Sequence, residues 1–223
     1  MFDRIAPRYD LLNRILSGGT DVAWRRDMAR LLPDWKDLNV LDLATGTGDV
    51  LLTLYDMDPK MKGGVGMDMS GKMLSLAKGK IAERGLSERL RMVRADATAI
   101  AAPDDHFDAV TIAFGIRNVI DVTKALREMY RVLKPGGRVL ILEFSLPENA
   151  LFRQAYLFYF RHVLPRIGGL ISGDRYAYRY LNQTVESFPY GQAFCDLMTE
   201  AGFNDVRAHP LSFGIASLYQ GDK

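Results

Sequence analysis

The sequence predicts an α/β protein built on one doubly wound, mostly parallel sheet of seven strands. Three observations support this. Strand-like and helix-like segments alternate from about residue 38 to residue 144, which is typical of a layered domain. The first strand candidate runs directly into a turn that contains Gly46 and Gly48. Two further strand-like runs near the C-terminus can add an antiparallel pair at the sheet edge.

The predicted strands are short, mostly apolar runs. Val139-Leu140-Ile141-Leu142 is representative, because a parallel strand covered on both faces has no polar side. The expected bounds are Val40–Ala44, Gly64–Asp68, Leu90–Ala95, Phe107–Phe114, Arg138–Phe144, Asp205–His209 and Phe213–Gln220.

Helical patterns occupy most of the remaining chain. The predicted helices are Ile5–Ser17, Asp21–Leu32, Asp49–Tyr55, Gly71–Arg84, a short one near Ala97–Ala101, Val122–Leu133, Leu146–Val163 and Gly191–Ala201. Lys134-Pro135-Gly136-Gly137 is expected to form the turn that ends the helix before it. We expect the first two helices to cover the carboxyl ends of the strands, where open α/β sheets bind ligands.

The length of 223 residues favours one domain with an elaboration. We assign residues 1–35 to the N-terminal covering helices and residues 36–145 to a cofactor-binding core. Residues 146–190 are expected to form an insertion that faces substrate or membrane. Residues 191–223 supply the last helix and the strand pair.

Composition excludes several classes of protein. A content of 48% hydrophobic and 25% charged residues argues against a disordered chain. The 29 basic and 27 acidic side chains give a net charge of +2, which provides little support for nucleic-acid binding. Cys195 stands alone, and the sequence has neither a secretory signal nor a run of about 20 uncharged apolar residues, so a cytoplasmic protein is expected. His106, His162 and His209 share no ligand spacing, so no metal is expected.

The glycine turn carries the strongest functional signal. Gly46 and Gly48 would allow the backbone to approach a ligand closely. Asp68 ends the next predicted strand, where a carboxylate can accept hydrogen bonds from both ribose hydroxyls of a nucleoside. Asp96 follows the third strand and could meet an adenine amino group. Asp42, inside the first strand, is expected to be structural.

The turn favours a cationic nucleoside over a dinucleotide. Leu51 stands where a dinucleotide motif has its third glycine, and Asp49 at the helix start is poorly suited to a pyrophosphate. We therefore predict S-adenosylmethionine, with a nicotinamide reductase and a purely structural turn as alternatives. The predicted cofactor-binding residues are Gly46, Thr47, Gly48, Asp49, Asp68, Met69, Asp96, Ala97 and Ala113.

Several longer motifs then point to one family. They are the opening segment Phe2–Asp10, the run Phe114-Gly115-Ile116-Arg117-Asn118-Val119, and the stretch from Arg131 to Gly137 with Leu142–Ser145. With them the chain resembles the class I S-adenosylmethionine-dependent methyltransferases. More narrowly, and over nearly its whole length, it resembles the C-methyltransferases of ubiquinone and menaquinone biosynthesis.

The resemblance implies methylation of a ring carbon in a reduced polyprenyl quinol, demethylmenaquinol in the first place and a ubiquinone-pathway benzoquinol as well. The attacking carbon must be electron-rich. A quinol that loses a hydroxyl proton meets this need, whereas the oxidised quinone is electrophilic at the same carbon. We therefore expect a requirement for reduced substrate. A small-molecule O- or N-methyltransferase and a non-catalytic cofactor-binding subunit of a quinone-synthesis complex are the alternatives.

Four residues are predicted to carry the chemistry. Arg117 would stabilise the developing oxyanion, and Asn118 would orient the substrate oxygen or a water. Tyr9 and Asp10 would form a relay that accepts the proton. The alternatives are a surface charge, a turn residue and a solvated helix pair. The predicted substrate contacts are Phe114, Tyr156, Tyr159 and Tyr180.

The segment Leu151–Ile171 is apolar and aromatic, but Arg153, Arg161 and Arg166 interrupt it. This pattern is typical of an amphipathic element and not of a membrane span. It predicts either an ordinary packed helix or a peripheral membrane contact that admits the prenyl tail. The aromatic loop after it could instead mediate a homodimer.

Overall fold

A computed structural model of the chain describes residues 17–163, 182 and 184–223. It contains one seven-stranded sheet in the order β3-β2-β1-β4-β5-β7-β6. The first five strands are parallel, and β7 runs antiparallel to both of its neighbours, β5 and β6. The predicted fold class is confirmed. The strands are β1 Leu38–Leu43, β2 Met61–Asp68, β3 Leu90–Arg94, β4 Phe107–Ala113, β5 Leu133–Phe144, β6 Asn204–Leu211 and β7 Ala216–Asp222.

Residues 184–187 form a helical turn, and six longer α-helices lie in the described part of the chain. They are α1 Asp21–Arg30, α2 Asp49–Met57, α3 Gly71–Glu83, α4 Val122–Val132, α5 Ala150–Phe158 and α6 Gln192–Glu200. Side chains cap the N-termini of three of them: Ser70 caps α3, Asp121 caps α4 and Asn149 caps α5. The helix predicted from Ile5 lies, apart from its last residue, outside the described residues.

Successive side chains along each strand point to opposite faces of the sheet, which divides the core into two layers. In β5, Leu140 and Leu142 face a cluster that includes helices α1, α2 and α3. Val139 and Ile141 face the opposite cluster, which includes α4 and α6. All four side chains have no solvent exposure. Both faces of the sheet are therefore covered by helices, as a doubly wound sheet requires.

The chain reverses its progress across the sheet between β1 and β4. Strands β2 and β3 follow on one side of β1, and β4 and β5 follow on the other. Ligands bind at such a switch point, outside the carboxyl ends of the strands. The residues that directly follow these two strands, Ala44 after β1 and Phe114 after β4, have positive φ angles of 47° and 55°. Strained backbone of this kind is concentrated at functional sites.

The helix predicted near Ala97–Ala101 was wrong. The chain there forms a turn closed by a short bridge between Asp96 and Ala99. The Asp96 Oδ1 atom accepts hydrogen bonds from the Thr98 backbone N–H (2.8 Å) and hydroxyl (2.9 Å). An aspartate side chain that accepts a hydrogen bond from the backbone two residues later competes with helix formation, so the segment forms a turn and not a helix.

The expected turn at Lys134-Pro135-Gly136-Gly137 also differs, because these residues lie within β5 as a bulge. Leu133 pairs with Phe107, and the next pair is Arg138 with Ala109. The bulge needs glycine: a Cβ atom on Gly137 would lie 2.9 Å from the Lys134 carbonyl oxygen. The Gly136 N–H donates to the carbonyl oxygen of Lys223 at 2.8 Å, which joins the bulge to the end of β7.

In the C-terminal third, one strand and one helix begin later in the structure than the sequence predicts. Strand β7 begins at Ala216 and not at Phe213, because Ser212–Gly214 forms a 3-10 turn in which Phe213 has a φ of 60°. Helix α5 begins at Ala150 and continues as a single π-helical turn over Tyr159–Val163. In the described residues, no helix is both long and apolar enough to cross a bilayer.

The close approach of Gly115 to Ala44 at the switch point leads to a prediction about stability. A Cβ atom on Gly115 would lie 2.5 Å from the Ala44 Cβ atom, so Gly115→Ala should lower the free energy of unfolding by about 1–3 kcal/mol. Gly79→Ala is the matched control, because Gly79 lies in α3 with no atom near its absent Cβ and should change stability by about 1 kcal/mol in the favourable direction. Urea unfolding would measure both, and equal stability of the two variants would contradict the assignment.

Candidate functional site

A cavity of about 430 Å³ opens at the carboxyl edge of the sheet, beside the switch point. It lies between the turn after β1, the ends of β2 and β3, and the segment that joins β4 to α4. Its lining residues are Leu43, Ala44, Gly46, Met67, Asp68, Met69, Met73, Ala95, Asp96, Ala97, Thr98, Phe114, Gly115, Asn118, Val119, Ile120, Asp121 and Lys124.

Asp68 organises one wall of this cavity. Its Oδ2 atom accepts the Gly46 N–H at 3.0 Å, and its Oδ1 atom accepts the Ser70 N–H at 2.7 Å. The end of β2 is thereby joined to the glycine turn after β1. Each carboxylate oxygen retains a second acceptor position, which a ribose hydroxyl can use.

A second wall is fixed from behind by α4. The Glu128 carboxylate accepts the Ile100 N–H at 2.8 Å, and Arg131 donates to the carbonyl oxygens of Ile100 (2.9 Å) and Ala102 (2.8 Å). The hydrogen bond from Arg131 lowers the pKa of Glu128. The turn that carries Asp96 is therefore attached to α4, the helix that Asp121 caps.

Five of the nine predicted cofactor residues line the cavity, and Phe114 and Asn118 join them. The five are Gly46, Asp68, Met69, Asp96 and Ala97. The remaining four, Thr47, Gly48, Asp49 and Ala113, do not line it. Gly48 instead allows the turn to pack against α3. Its φ is 82°, and a Cβ atom at this position would lie 3.2 Å from the Cβ atom of Ala77 on α3.

Asp49 is engaged by two cations. Arg25 of α1 donates to its Oδ2 atom at 3.0 Å, and Lys80 of α3 donates to its Oδ1 atom at 2.6 Å. Lys80 also donates to the Thr47 hydroxyl at 3.0 Å. Burial alone would raise the pKa of Asp49, but the Lys80 hydrogen bond and the charges of Lys80 and Arg25 outweigh it and lower the pKa. The network fixes the glycine turn to two helices.

Asp42 lies beneath the site and is fully buried in β1. Its carboxylate accepts hydroxyl hydrogen bonds from Thr45 at 2.6 Å and Thr111 at 2.7 Å. Burial raises the pKa of Asp42 to about 6, against the opposing effect of the two hydroxyls. It shares no surface with the cavity, in keeping with the structural role expected from the sequence.

Arg117 is buried and not the surface charge that one interpretation of the sequence allowed. Its side chain is 8% exposed, and its Nη1 atom donates to Glu143 Oε1 at 2.5 Å and to the Phe114 carbonyl oxygen at 2.8 Å. Glu143 is 1% exposed and also accepts the Phe144 N–H. The guanidinium packs 5.5 Å from the centre of the Phe144 ring. Such a pair is held firmly, since removing one partner leaves an isolated buried charge.

Asn118 follows on the 3-10 turn Ile116–Asn118, directly after β4. Its Nδ2 atom lies 3.4 Å from the Phe114 carbonyl oxygen, and its Oδ1 atom is buried without a hydrogen-bond partner. Arg117 Nε is buried and unpartnered in the same way. Asn118 lines the cavity, whereas Arg117, its neighbour in the chain, does not.

An aromatic cluster separates this turn from α1. Trp24 lies with its ring centre 6.1 Å from that of Phe114 and 6.3 Å from that of Phe144. The Trp24 indole N–H donates to the Ser212 hydroxyl at 3.0 Å. The N-terminal half of α1 therefore reaches the carboxyl edge, while its last residues lie near Arg138 at the other end of β5.

The remaining predicted residues lie elsewhere. Tyr156 and Tyr159 are on and just after α5, and neither lines the cavity. Burial raises the pKa of Tyr156, whose ring stacks on Phe160. The predictions for Tyr9, Asp10 and Tyr180 fall outside the described residues. Across residues 17–163, 182 and 184–223, no group of three potential ligands could hold a metal.

Sequence reasoning missed three charged residues that shape the site. Glu143 pairs with Arg117, while Arg25 and Lys80 hold Asp49. One signal was available for Glu143, because a carboxylate inside the apolar run of a central strand requires a buried partner. No comparable signal marks Arg25 or Lys80, which occupy ordinary helical positions.

Comparison with known proteins gives a match along the whole chain. The model of the ubiE/COQ5 methyltransferase family matches residues 1–223. A demethylmenaquinone methyltransferase from Thermus thermophilus is 50% identical over 223 residues, covering 100% of both chains. A ubiquinone/menaquinone biosynthesis C-methyltransferase UbiE from Geotalea daltonii is 49% identical, covering 100% of this chain and 94% of the relative.

Solved structures share the fold at lower identity. A SAM-dependent methyltransferase from Aquifex aeolicus matches with a TM-score of 0.63 and 18% identity, covering 89% of this chain and 88% of its own. The [4+2]-cyclase SpnF matches with a TM-score of 0.65 and 18% identity, covering 100% and 94%. Because a cyclase shares this architecture, the likeness at this level speaks for the fold alone.

The position of Asp68 generates a test of the cavity. Asp68→Ala removes a charged acceptor and should weaken S-adenosylmethionine binding about 10-fold to 100-fold, as measured by titration calorimetry. Asp56→Ala is the control, because Asp56 is an exposed carboxylate on α2 paired with Arg84, away from the cavity. An unchanged dissociation constant for Asp68→Ala, in a folded protein, would contradict the assignment.

Proposed function

The chain belongs to the ubiE/COQ5 methyltransferase family, and we propose that it methylates a ring carbon of a reduced, demethylated polyprenyl quinol. It is accordingly an S-adenosylmethionine-dependent methyltransferase. One observation carries the substrate class: the chain is 50% identical, over its full length, to a protein named demethylmenaquinone methyltransferase. Demethylmenaquinol is thus the first candidate substrate, and the relative named for both pathways keeps a benzoquinol as the second.

The cavity at the switch point is the proposed cofactor site, because its polar groups suit a nucleoside without phosphates. Asp68 and Asp96 can accept hydrogen bonds from ribose hydroxyls and an adenine amino group, respectively. Lys124 is the one cation among the lining residues that the structure describes. Three carboxylates, those of Asp68, Asp96 and Asp121, and one ammonium group favour a cationic ligand over a pyrophosphate, which also weighs against a nicotinamide reductase.

From its position in the sequence, Asp49 was predicted to bind the cofactor directly, but we propose a supporting role for it. Because Arg25 and Lys80 already neutralise it, Asp49 holds the glycine turn in place and contributes little free charge. Thr47 receives the second Lys80 hydrogen bond, so the hydroxyl is oriented by the same network. We propose that these residues shape the turn for the cofactor from behind.

When bound, S-adenosylmethionine supplies an electrophilic methyl group. The protein must make the acceptor carbon nucleophilic, which requires a quinol hydroxyl to give up its proton. Arg117 is the proposed electrostatic partner of the resulting oxyanion, because its buried guanidinium, which is paired with Glu143 at 2.5 Å, directly precedes Asn118, a residue that lines the cavity. The ring carbon gains the methyl group and then loses its own proton, which restores aromaticity. Tyr9 and Asp10 remain the proposed proton relay.

The apolar face of α5 supports a proposed contact with the membrane. Leu151 and Phe158 are 78% and 63% exposed, and Phe213 at 87% lies beside Phe152 with ring centres 5.8 Å apart. Such a patch can dip into the lipid interface and receive the prenyl tail, with Tyr156 and Tyr159 along its path. We propose a cytoplasmic enzyme with this peripheral contact. A homodimer through the aromatic loop that follows this segment, which lies outside the described residues, is the second proposal.

The direct test is methyl transfer from labelled S-adenosylmethionine to demethylmenaquinol kept reduced by dithionite. We expect label on the reduced naphthoquinol and none on the oxidised quinone, measured by extraction and chromatography. A demethylated benzoquinol in parallel defines the ring preference, and simple phenols and amines test for an O- or N-methyltransferase. Intact cofactor binding with no label on any quinol would refute the proposal and favour a non-catalytic subunit.

Arg117 gives a prediction about the chemical step. Arg117→Ala should lower kcat about 100-fold or more, while the dissociation constant for S-adenosylmethionine changes less than about threefold. Because Glu143 would be left as an isolated buried charge, the double variant Arg117→Ala with Glu143→Ala should be assayed beside it. Arg138→Ala is the control, since it breaks an arginine pair with Asp222 at the other end of β5. Retained turnover in either Arg117 variant would exclude the role.

A further inference from the structure

Asp42 is a buried ionisable group that the proposed function leaves without a chemical role. It is fully buried in β1, and the two residues that follow it, Leu43 and Ala44, line the cavity. We propose that Asp42 is a buried counter-charge that makes the site bind the sulfonium form of the cofactor in preference to the neutral thioether that methyl transfer leaves. The inference rests on the proposed cofactor site and adds a specificity-determining residue to it.

Hydrogen bonds attach Asp42 to the glycine turn and to β4. Its Oδ2 atom accepts the Thr45 hydroxyl at 2.6 Å, and Thr45 directly precedes Gly46, which lines the cavity. Its Oδ1 atom accepts the hydroxyl of Thr111 in β4 at 2.7 Å. Each carboxylate oxygen is held by one hydroxyl, so the carboxylate is fixed between the turn and the neighbouring strand.

The donors to Asp42 are neutral, whereas the ionic groups on the helices of the same face pair with one another. Arg25 of α1 donates to Asp21 of the same helix at 2.5 Å and to Asp49 of α2 at 3.0 Å. Lys80 of α3 donates to Asp49 at 2.6 Å. In the described part of the chain, the charge of Asp42 is therefore stabilised by hydroxyls and by no bonded cation.

A charge on the cavity wall already acts on Asp42. Burial raises the pKa of Asp42 to about 6, and the negative charge of Asp68, which lines the cavity at the end of β2, adds to this increase. The two hydroxyls and the charge of Arg25 oppose it. Because a carboxylate on this wall disfavours the ionised form of Asp42, a cation bound beside the same wall would favour that form.

The cofactor and its product differ by this one charge. S-adenosylmethionine carries a positively charged sulfur and S-adenosylhomocysteine a neutral one, while their adenosyl and amino-acid groups are the same. Interaction of the sulfonium with a buried carboxylate across the protein interior is worth about 3-fold to 10-fold in affinity. By linkage, sulfonium binding lowers the pKa of Asp42 and releases about 0.3–0.5 proton slightly below pH 6. Affinity for the sulfonium therefore rises with pH as Asp42 ionises.

Titration calorimetry of the full chain tests this with both ligands, from about pH 5 to about pH 7.5, in two buffers of different ionisation enthalpy. We expect the ratio of the two dissociation constants to change about 3-fold to 10-fold over this range, in favour of the sulfonium, and about 0.3–0.5 more proton to be released on sulfonium binding near pH 5.5. Titration of groups common to both ligands cancels in this comparison. Asp42→Asn should remove both differences.

Thr111→Val is the second variant, and it keeps the carboxyl group. Loss of a hydroxyl that favours the ionised form should raise the pKa of Asp42 and move the midpoint of the pH dependence upward by about 0.5–1 pH unit, which a merely structural role of Asp42 would not do. Asp108→Asn is the matched control. Asp108 is a buried carboxylate near the amino end of β4, paired with Lys134, and its replacement should leave both differences in place.

The same pH dependence for both ligands in the unaltered chain would overturn the inference. So would a difference that survives in Asp42→Asn, or an unmoved midpoint in Thr111→Val, which decides the matter if the asparagine variant does not fold. Failure of the proposed cofactor site would look different, because neither ligand would then bind. Failure of quinol methylation would leave these affinities unchanged and would appear only as absent label in the transfer assay.

Discussion

The close contact between Gly115 and Ala44 is the constraint on which the site depends. The carboxyl ends of β1 and β4 lead into separate loops, yet the Gly115 backbone lies so close to the Ala44 methyl group that a Cβ atom on residue 115 would be 2.5 Å from it. Ala44 and Phe114, at the ends of these strands, both have left-handed backbone. The glycine turn after β1 and the 3-10 turn after β4 thereby both contribute lining residues to one cavity.

Charges around the cavity are arranged in compensated pairs. Arg25 and Lys80 offset Asp49, and Glu143 partly offsets Arg117. Because each pair joins different secondary-structure elements, the same contacts that set the local charge also fix the geometry. In the proposed function, a cationic cofactor and a developing oxyanion would meet a site whose residues need little reorganisation.

The sequence allowed the sheet to be predicted because strand position follows from local apolar runs such as Val139–Leu142, and helix starts follow from nearby caps such as Ser70. The turn at Asp96 was missed because its side chain bonds to its own backbone. The partners of Asp49 lie 24 and 31 residues away in sequence, a distance at which no local pattern operates. The position of Glu143 in an apolar strand indicates that it needs a buried partner, but only the packing of β5 shows that this partner is Arg117.

Helix α4 connects two walls that would otherwise be independent loops. Glu128 and Arg131 hold the turn with Asp96, and the same helix starts four residues after Asn118, directly after its Asp121 cap. The wall that would meet the nucleoside is therefore joined through α4 to the wall that would meet the ring. A displacement of α4 would shift both walls together, so the two regions are not independent of each other.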